Sequence, residues 1–176
     1  MSAPSPISSF EPGQVRPWWK DGSGLTEYLR EVSLFLRNFR SRLRAGEHSR
    51  LPLRLIRFQL NQGTIYCDWV ARDPDPWDTL LPPRIGMRHA SIQALKDAIE
   101  TRALLFQSVL EVDFAHVRAY RRTPGNLLEL IISGDLRRHC GVARSTPSLA
   151  MRAKLLGFQF RLDDEVLIPL RITDEI

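Results

Sequence analysis

The sequence predicts an α+β fold: an antiparallel sheet built from two or three hairpins, with helices packed mainly on one face. Three observations carry that reading. Apolar residues recur every three or four positions in three separate segments, the period of an amphipathic helix. Paired runs of branched and aromatic residues, joined by turn residues, stand after each of these segments as hairpins do. The two kinds of unit alternate, giving helix, hairpin, helix, hairpin, helix, hairpin. At 176 residues, 43% hydrophobic and 26% charged, the composition is that of an ordinary globular protein. A chain of this size buries roughly 70% of its unfolded surface, enough to fold without metals or disulfides.

Residues 1–22 are rich in Pro and Ser and lack apolar periodicity, so they read as an extended or flexible N-terminal arm; residues 23–176 read as one α+β domain. Trp18 and Trp19 interrupt the arm. Two adjacent indoles are costly to leave in water, so they are expected to dock on the domain or on a partner. The first helix, about 24–44, carries Leu25, Tyr28, Leu29, Val32, Phe35, Leu36, Phe39 and Leu43 on one stripe. Ser23 or Asp21 can cap its start, Glu27 and Glu31 suit its positive end, Arg40, Arg42 and Arg44 its negative end, and Gly46 stops it.

Leu53–Leu60 and Thr64–Arg72 form the first hairpin around Asn61-Gln62-Gly63. In its second strand Ile65, Cys67, Trp69 and Ala71 share one face, which makes Cys67 a small buried residue. Residues 73–89 contain four prolines and read as a long irregular connection. Ser91 then caps a second helix, about 91–110, with Ile92, Leu95, Ile99, Ala103, Phe106 and Leu110 as its apolar stripe. The second hairpin joins 112–122 to 127–133 through Thr123-Pro124-Gly125-Asn126, where Pro followed by Gly suits a type II turn. A short helix, about 147–156, opens at Thr146-Pro147 and closes at Gly157. A last hairpin turns at Asp163-Asp164-Glu165, with Pro169 on an edge.

Several functions are excluded or unsupported. No run of 18 apolar residues is present, so no spanning helix is expected. No secretory signal is visible at residues 1–10, and two cysteines outside any CxxC pair fit a reduced, cytoplasmic protein. There is no phosphate loop, dinucleotide fingerprint, nucleophile elbow or HExxH motif, and no cofactor is implied. Asp73, Asp75 and Asp78 are the best candidate metal ligands, as in a metal-dependent hydrolase or nuclease. Pro74 and Pro76 nevertheless hold them extended and apart, and Asp before Pro is common turn chemistry. His116 shares a strand face with Phe114, Arg118 and Tyr120, with no carboxylate or nucleophile brought to it by sequence alone.

Of 25 basic residues, 22 are Arg. Arg30, Arg37, Arg40 and Arg44 step by three and four along the first helix and form one stripe. Arg118, Arg121 and Arg122, with Arg137, Arg138 and Arg144, form a second cluster. Such stripes bind phosphates through the planar guanidinium fork, and Tyr66, Tyr120, Trp18 and Trp19 are possible stacking surfaces for RNA or single-stranded DNA. A charged helix face is, however, more often simply solvated or paired with acidic segments. The leading expectation is therefore a non-enzymatic cytoplasmic binding or adaptor module, acting as a homodimer or as a subunit of a larger assembly. Its partner would be another protein chain or itself, with RNA or single-stranded DNA as the alternative and no membrane.

Overall fold

The structure, a computed structural model, describes residues 22–61, 63–140 and 146–170. Helix α1 covers Gly22–Arg42 and buries Phe35 and Phe39, with Leu43 buried just past its end, three members of the expected stripe. Strands β1 (Arg54–Asn61) and β2 (Thr64–Val70) pair antiparallel, closing at Asn61↔Thr64. Gly63 takes φ +76°, a left-handed turn conformation that a residue with a Cβ adopts only with strain. Helix α2 runs Pro83–Ser108, followed by β3 (Phe114–Arg122), β4 (Leu128–Arg137), α3 (Leu149–Leu155), the two-residue β5 (Phe158–Gln159), and the short pair β6 (Arg161–Asp163) and β7 (Val166–Ile168).

The class is α+β, as predicted: three helices, a five-stranded sheet in the order β1-β2-β3-β4-β5, and a two-stranded sheet β6-β7. The main sheet is mixed rather than wholly antiparallel, because β2 and β3 run parallel from Thr64↔Phe114 to Val70↔Tyr120. The cause is the connection between the hairpins. A tight turn reverses a strand, whereas a crossover through the 26-residue α2 delivers the next strand in the same direction. The last hairpin divides in the same way: Phe158 and Gln159 extend the main sheet beside β4, while β6 and β7 pair separately across Asp164 and Glu165, both at positive φ.

Three further expectations are revised. Residues 73–89 are partly regular: a 3-10 turn spans Pro76–Leu80 and α2 starts at Pro83, not Ser91. Proline in the first turn of a helix loses no hydrogen bond, so Pro82-Pro83 opens the helix instead of blocking it. Ser91 lies inside α2, where its hydroxyl donates to Met87 O at 2.8 Å and accepts from Leu167 N at 2.9 Å, holding β7 to the helix. At the second hairpin the positive φ falls on Asn126, at 61°, and Gly125 is not among the positive-φ residues. Asn126 N donates to Thr123 O at 2.9 Å, so the tight turn is followed by one left-handed Asn, a residue that tolerates this region.

The core lies between the sheet and the helices. Ile65, Cys67 and Trp69 of β2, Ala115, Val117 and Ala119 of β3, and Ile132 and Leu136 of β4 join Phe35 and Phe39 of α1 and Leu43 just after it in one buried cluster. Cys67 is fully buried, as expected, and burial pushes its thiol far up, away from reactivity at neutral pH. Helix α2 buries the small Ala94, Ala98, Thr101 and Ser108 together with Leu95, Leu104, Leu105 and Phe106. Of its expected stripe, Leu95 and Phe106 are buried, Ile92, Ile99 and Ala103 are only partly covered, and Leu110 is 71% exposed. Among the described residues, no helix is long and apolar enough to cross a membrane.

Candidate functional site

The face of the sheet opposite the core is polar, aromatic and charged. Strand alternation sends every second side chain to it, and the register aligns these side chains in rows. One row crosses all five strands as Arg57, Asp68, Arg118, Ser133 and Gln159; the next reads Gln59, Tyr66, His116 and Asp135; the third ends in Thr64, Phe114 and Arg137. A groove of about 510 Å³ runs over the first two rows. Tyr66 and His116 stack with ring centroids 5.1 Å apart. The Arg57 guanidinium lies 4.9 Å from the Tyr66 ring centre and donates to Gln59 Oε1 at 2.7 Å, and Arg137 lies 5.6 Å from the ring centre of the half-exposed Phe114.

His116 does have a carboxylate neighbour: its Nδ1 meets Asp135 Oδ1 across the β3–β4 pairing. Sequence spacing hides this contact, because the two residues are 19 positions apart and meet only once the register is set. Partial burial raises the Asp68 carboxyl above its ordinary range, and the neighbouring Arg118 and Arg57 oppose that shift.

A second surface lies at the 3-10 turn and the start of α2. Trp77 is 76% exposed and Leu80 82%, side chains that belong in a core by chemistry and stand in water here. Leu81, Ile85 and Met87 extend the patch onto the start of α2. Met87 also lines a cleft of about 720 Å³ with Ala71, Ala94, Ile131 and Leu167, at the ends of β2 and β3. Charges of both signs frame the patch: Arg84 and Arg88 pair with Asp164 at 2.5 and 3.2 Å, and Arg88 also meets Glu165 at 3.0 Å.

The basic residues singled out from sequence do not form one surface. Arg30, Arg37, Arg40 and Arg44 are exposed, and the last three line a shallow groove with Ser33 and Leu36. That groove is on the outer side of α1, across the core from the open sheet face. Arg118 lies on the sheet face, whereas Arg121 and Arg122 line the cleft. Arg121 is occupied with Glu129 at 2.9 Å and Leu167 O at 3.1 Å. Arg138 is structural: its guanidinium donates to Phe106 O at 2.6 Å, Val109 O at 2.5 Å and Val112 O at 2.7 Å, capping the carbonyl end of α2. Trp18, Trp19 and Arg144 lie outside the described residues.

The three aspartates are dispersed. Asp75 caps the 3-10 turn by accepting from Trp77 N at 3.2 Å, Asp78 faces His89 Nδ1 at 3.3 Å, and the Asp73 carbonyl accepts from Ser49. Among the described residues, no group of three or more His, Cys, Asp or Glu side chains is gathered to hold a metal ion.

Near the start of α1, Glu27, Glu31 and Glu111 surround a hollow with Tyr28 and Leu60. Burial, then repulsion from Glu111 and Glu27, raises the Glu31 carboxyl above its usual range. A carboxyl whose pKa is raised on folding destabilises the fold above the ordinary carboxylate range, and the cost disappears as pH falls below that range. Glu31→Gln is therefore expected to raise the melting temperature at neutral pH and to leave it unchanged in acid, as differential scanning calorimetry at the two pH values would show.

No protein-family model, curated protein or solved structure matches the chain.

Proposed function

We propose that the chain is a non-enzymatic binding module that associates with a second copy of itself through the apolar surface of the 3-10 turn and the start of α2. The observation that carries this reading is the exposure of Trp77 and Leu80 beside Leu81, Ile85 and Met87. Burying such side chains is worth about 1.5–3 kcal/mol each, and contiguous apolar patches rimmed by polar groups mark interaction surfaces. The rim favours a second copy over an unlike partner. It holds Arg84 and Arg88 next to Asp164 and Glu165, so it is complementary to itself, as a twofold interface requires. The adjoining cleft offers a socket for an apolar side chain of the facing copy. The free thiols Cys67 and Cys140 fit a reducing, cytoplasmic setting.

Light scattering over a wide concentration range is expected to give a dimer. The double variant Trp77→Ala, Leu80→Glu is expected to be a monomer with an unchanged circular dichroism spectrum, since both side chains are exposed within one chain and contribute little to its core. A wild-type chain that stays monomeric at every concentration refutes the reading.

A further inference from the structure

We propose that the open face of the five-stranded sheet binds single-stranded nucleic acid, with bases stacking on Tyr66, His116 and Phe114 and phosphates held by Arg57, Arg118 and Arg137. This goes beyond self-association and uses a different surface.

The face has the two components such a ligand requires. Rings on neighbouring central strands provide stacking platforms that accept any base: Tyr66 sits directly opposite His116, with Phe114 two positions earlier on the same strand. Diagonal pairs across neighbouring strands are spaced about 7–8 Å, so Tyr66 and Phe114 are far enough apart to serve separate bases. Cations stand over the rings, Arg57 over Tyr66, whose ring also stacks with His116, and Arg137 over Phe114, so an entering base displaces the guanidinium from the ring face to its own edge. A guanidinium in that position can stack on a base edge and still reach a phosphate through its outer nitrogens.

The charge pattern also argues against a protein layer as the cover. A packed apolar layer would bury the Arg57, Asp68, Arg118 row away from water, which is costly for charges, whereas a hydrated polyanion leaves the row wet. The two acids have local functions. Asp68 lies between Arg57 and Arg118 in the register and is compensated by them. Asp135 meets His116 Nδ1, which fixes the imidazole in its stacked orientation. With three arginines against two aspartates in these three rows, and a net charge of +5 over the chain, binding should be moderate and strongly salt-dependent. Arg37, Arg40 and Arg44 have no described aromatic side chain lining their groove, so they provide charge without a platform.

The test is fluorescence anisotropy with labelled mixed-sequence RNA and DNA single strands of about 12 nucleotides at low salt. The wild-type chain is expected to bind saturably, and affinity should fall steeply with added salt. Phe114→Ala and Tyr66→Ala should each weaken binding about tenfold, and Arg118→Gln should weaken it and reduce the salt slope by about one. Phe114 is half exposed, so its variant keeps the fold and guards against a folding artefact in the others. The α1 triple variant Arg37→Glu, Arg40→Glu, Arg44→Glu should bind within about twofold of wild type apart from the general loss from its changed net charge, which higher salt removes. No saturable binding of either strand at low salt overturns the proposal, and so does binding that the α1 variant abolishes while the sheet-face variants keep it. The Trp77→Ala, Leu80→Glu chain should retain contact with the oligonucleotide, which separates failure here from failure of the dimer.

Discussion

Replacing Arg72 with Met is expected to cost about 3–5 kcal/mol of folding stability, a large part of the about 5–15 kcal/mol available to a domain. Arg72 has 1% of its side chain exposed and stands 2.9 Å from Asp97 Oδ2, itself 3% exposed. Its other nitrogens donate to Leu43 O at 2.5 Å, to Leu51 O and to Arg44 O. One guanidinium thus satisfies the carbonyls left over where α1 ends, anchors the loop leading to β1, and neutralises the only acid buried in α2. Met fills the volume and supplies no donor. Burial then drives the Asp97 carboxyl further above its usual range, a shift that Arg72 and Gln93 now oppose, and three carbonyls lose their partner. Urea denaturation of Arg72→Met measures the loss. The double variant Arg72→Met, Asp97→Leu should recover part of it, because replacing both members of a buried pair is less damaging than orphaning one. A loss below about 1 kcal/mol in the single variant would mean that the pair behaves as a surface ion pair.

The behaviour of arginine explains much of what sequence reading reaches and misses. Elements set by near neighbours were legible: α1 from its stripe, both long hairpins from their turns, and the burial of Cys67 from period-two alternation. The β2–β3 pairing was not, since it depends on how α2 packs and no local signal encodes it. The inner face of α2 was legible only in part: Leu95 and Phe106 are buried as the stripe predicts, whereas Ala94, Ala98, Thr101 and the charged Asp97, which complete it, carry no apolar signal. A buried carboxylate looks like a solvent-facing one until its partner 25 residues away is known. Arg72 and Arg138 likewise resemble surface charges in sequence, and the fold spends them on helix-end carbonyls. On the candidate surfaces, alternation already grouped Tyr66 with Asp68 opposite the Cys67 face of β2, and His116 with Phe114 and Arg118 on one face of β3. What it could not give was the row across strands or the arrival of Asp135. The Trp77–Met87 patch was invisible for a simpler reason: Trp, Leu and Ile are read as core, and exposure belongs to the fold.

Phe35→Ala is expected to destabilise the chain by about 3–5 kcal/mol, and the distribution of that loss distinguishes the helix layer from the sheet. Phe35 is fully buried, stacks on Phe58 of β1 at 4.4 Å with a 16° interplanar angle, and touches Phe39 at 5.5 Å. Aromatic pairs of this kind contribute about 0.5–1.5 kcal/mol beyond their buried area, and the cavity left by truncation cannot be refilled by the stiff β1 backbone. Beyond Phe35, α1 is held by Phe39 and the partly buried Leu36 in the core, by Arg42 on Gln107 and Glu100 of α2, and just past its end by Leu43 and the Arg72 bonds. Native-state hydrogen exchange should therefore show the α1 amides losing protection first and most, while the β3–β4 amides, held by the longest pairing in the sheet, lose less. The open sheet face lies on the far side of that pairing. Oligonucleotide binding by Phe35→Ala, measured at low temperature where the variant is folded, should match wild type even as the melting temperature falls. Equal loss of protection in α1 and in β3–β4 would show instead that the chain unfolds as a single cooperative unit, and that α1 is as integral to it as the central strands.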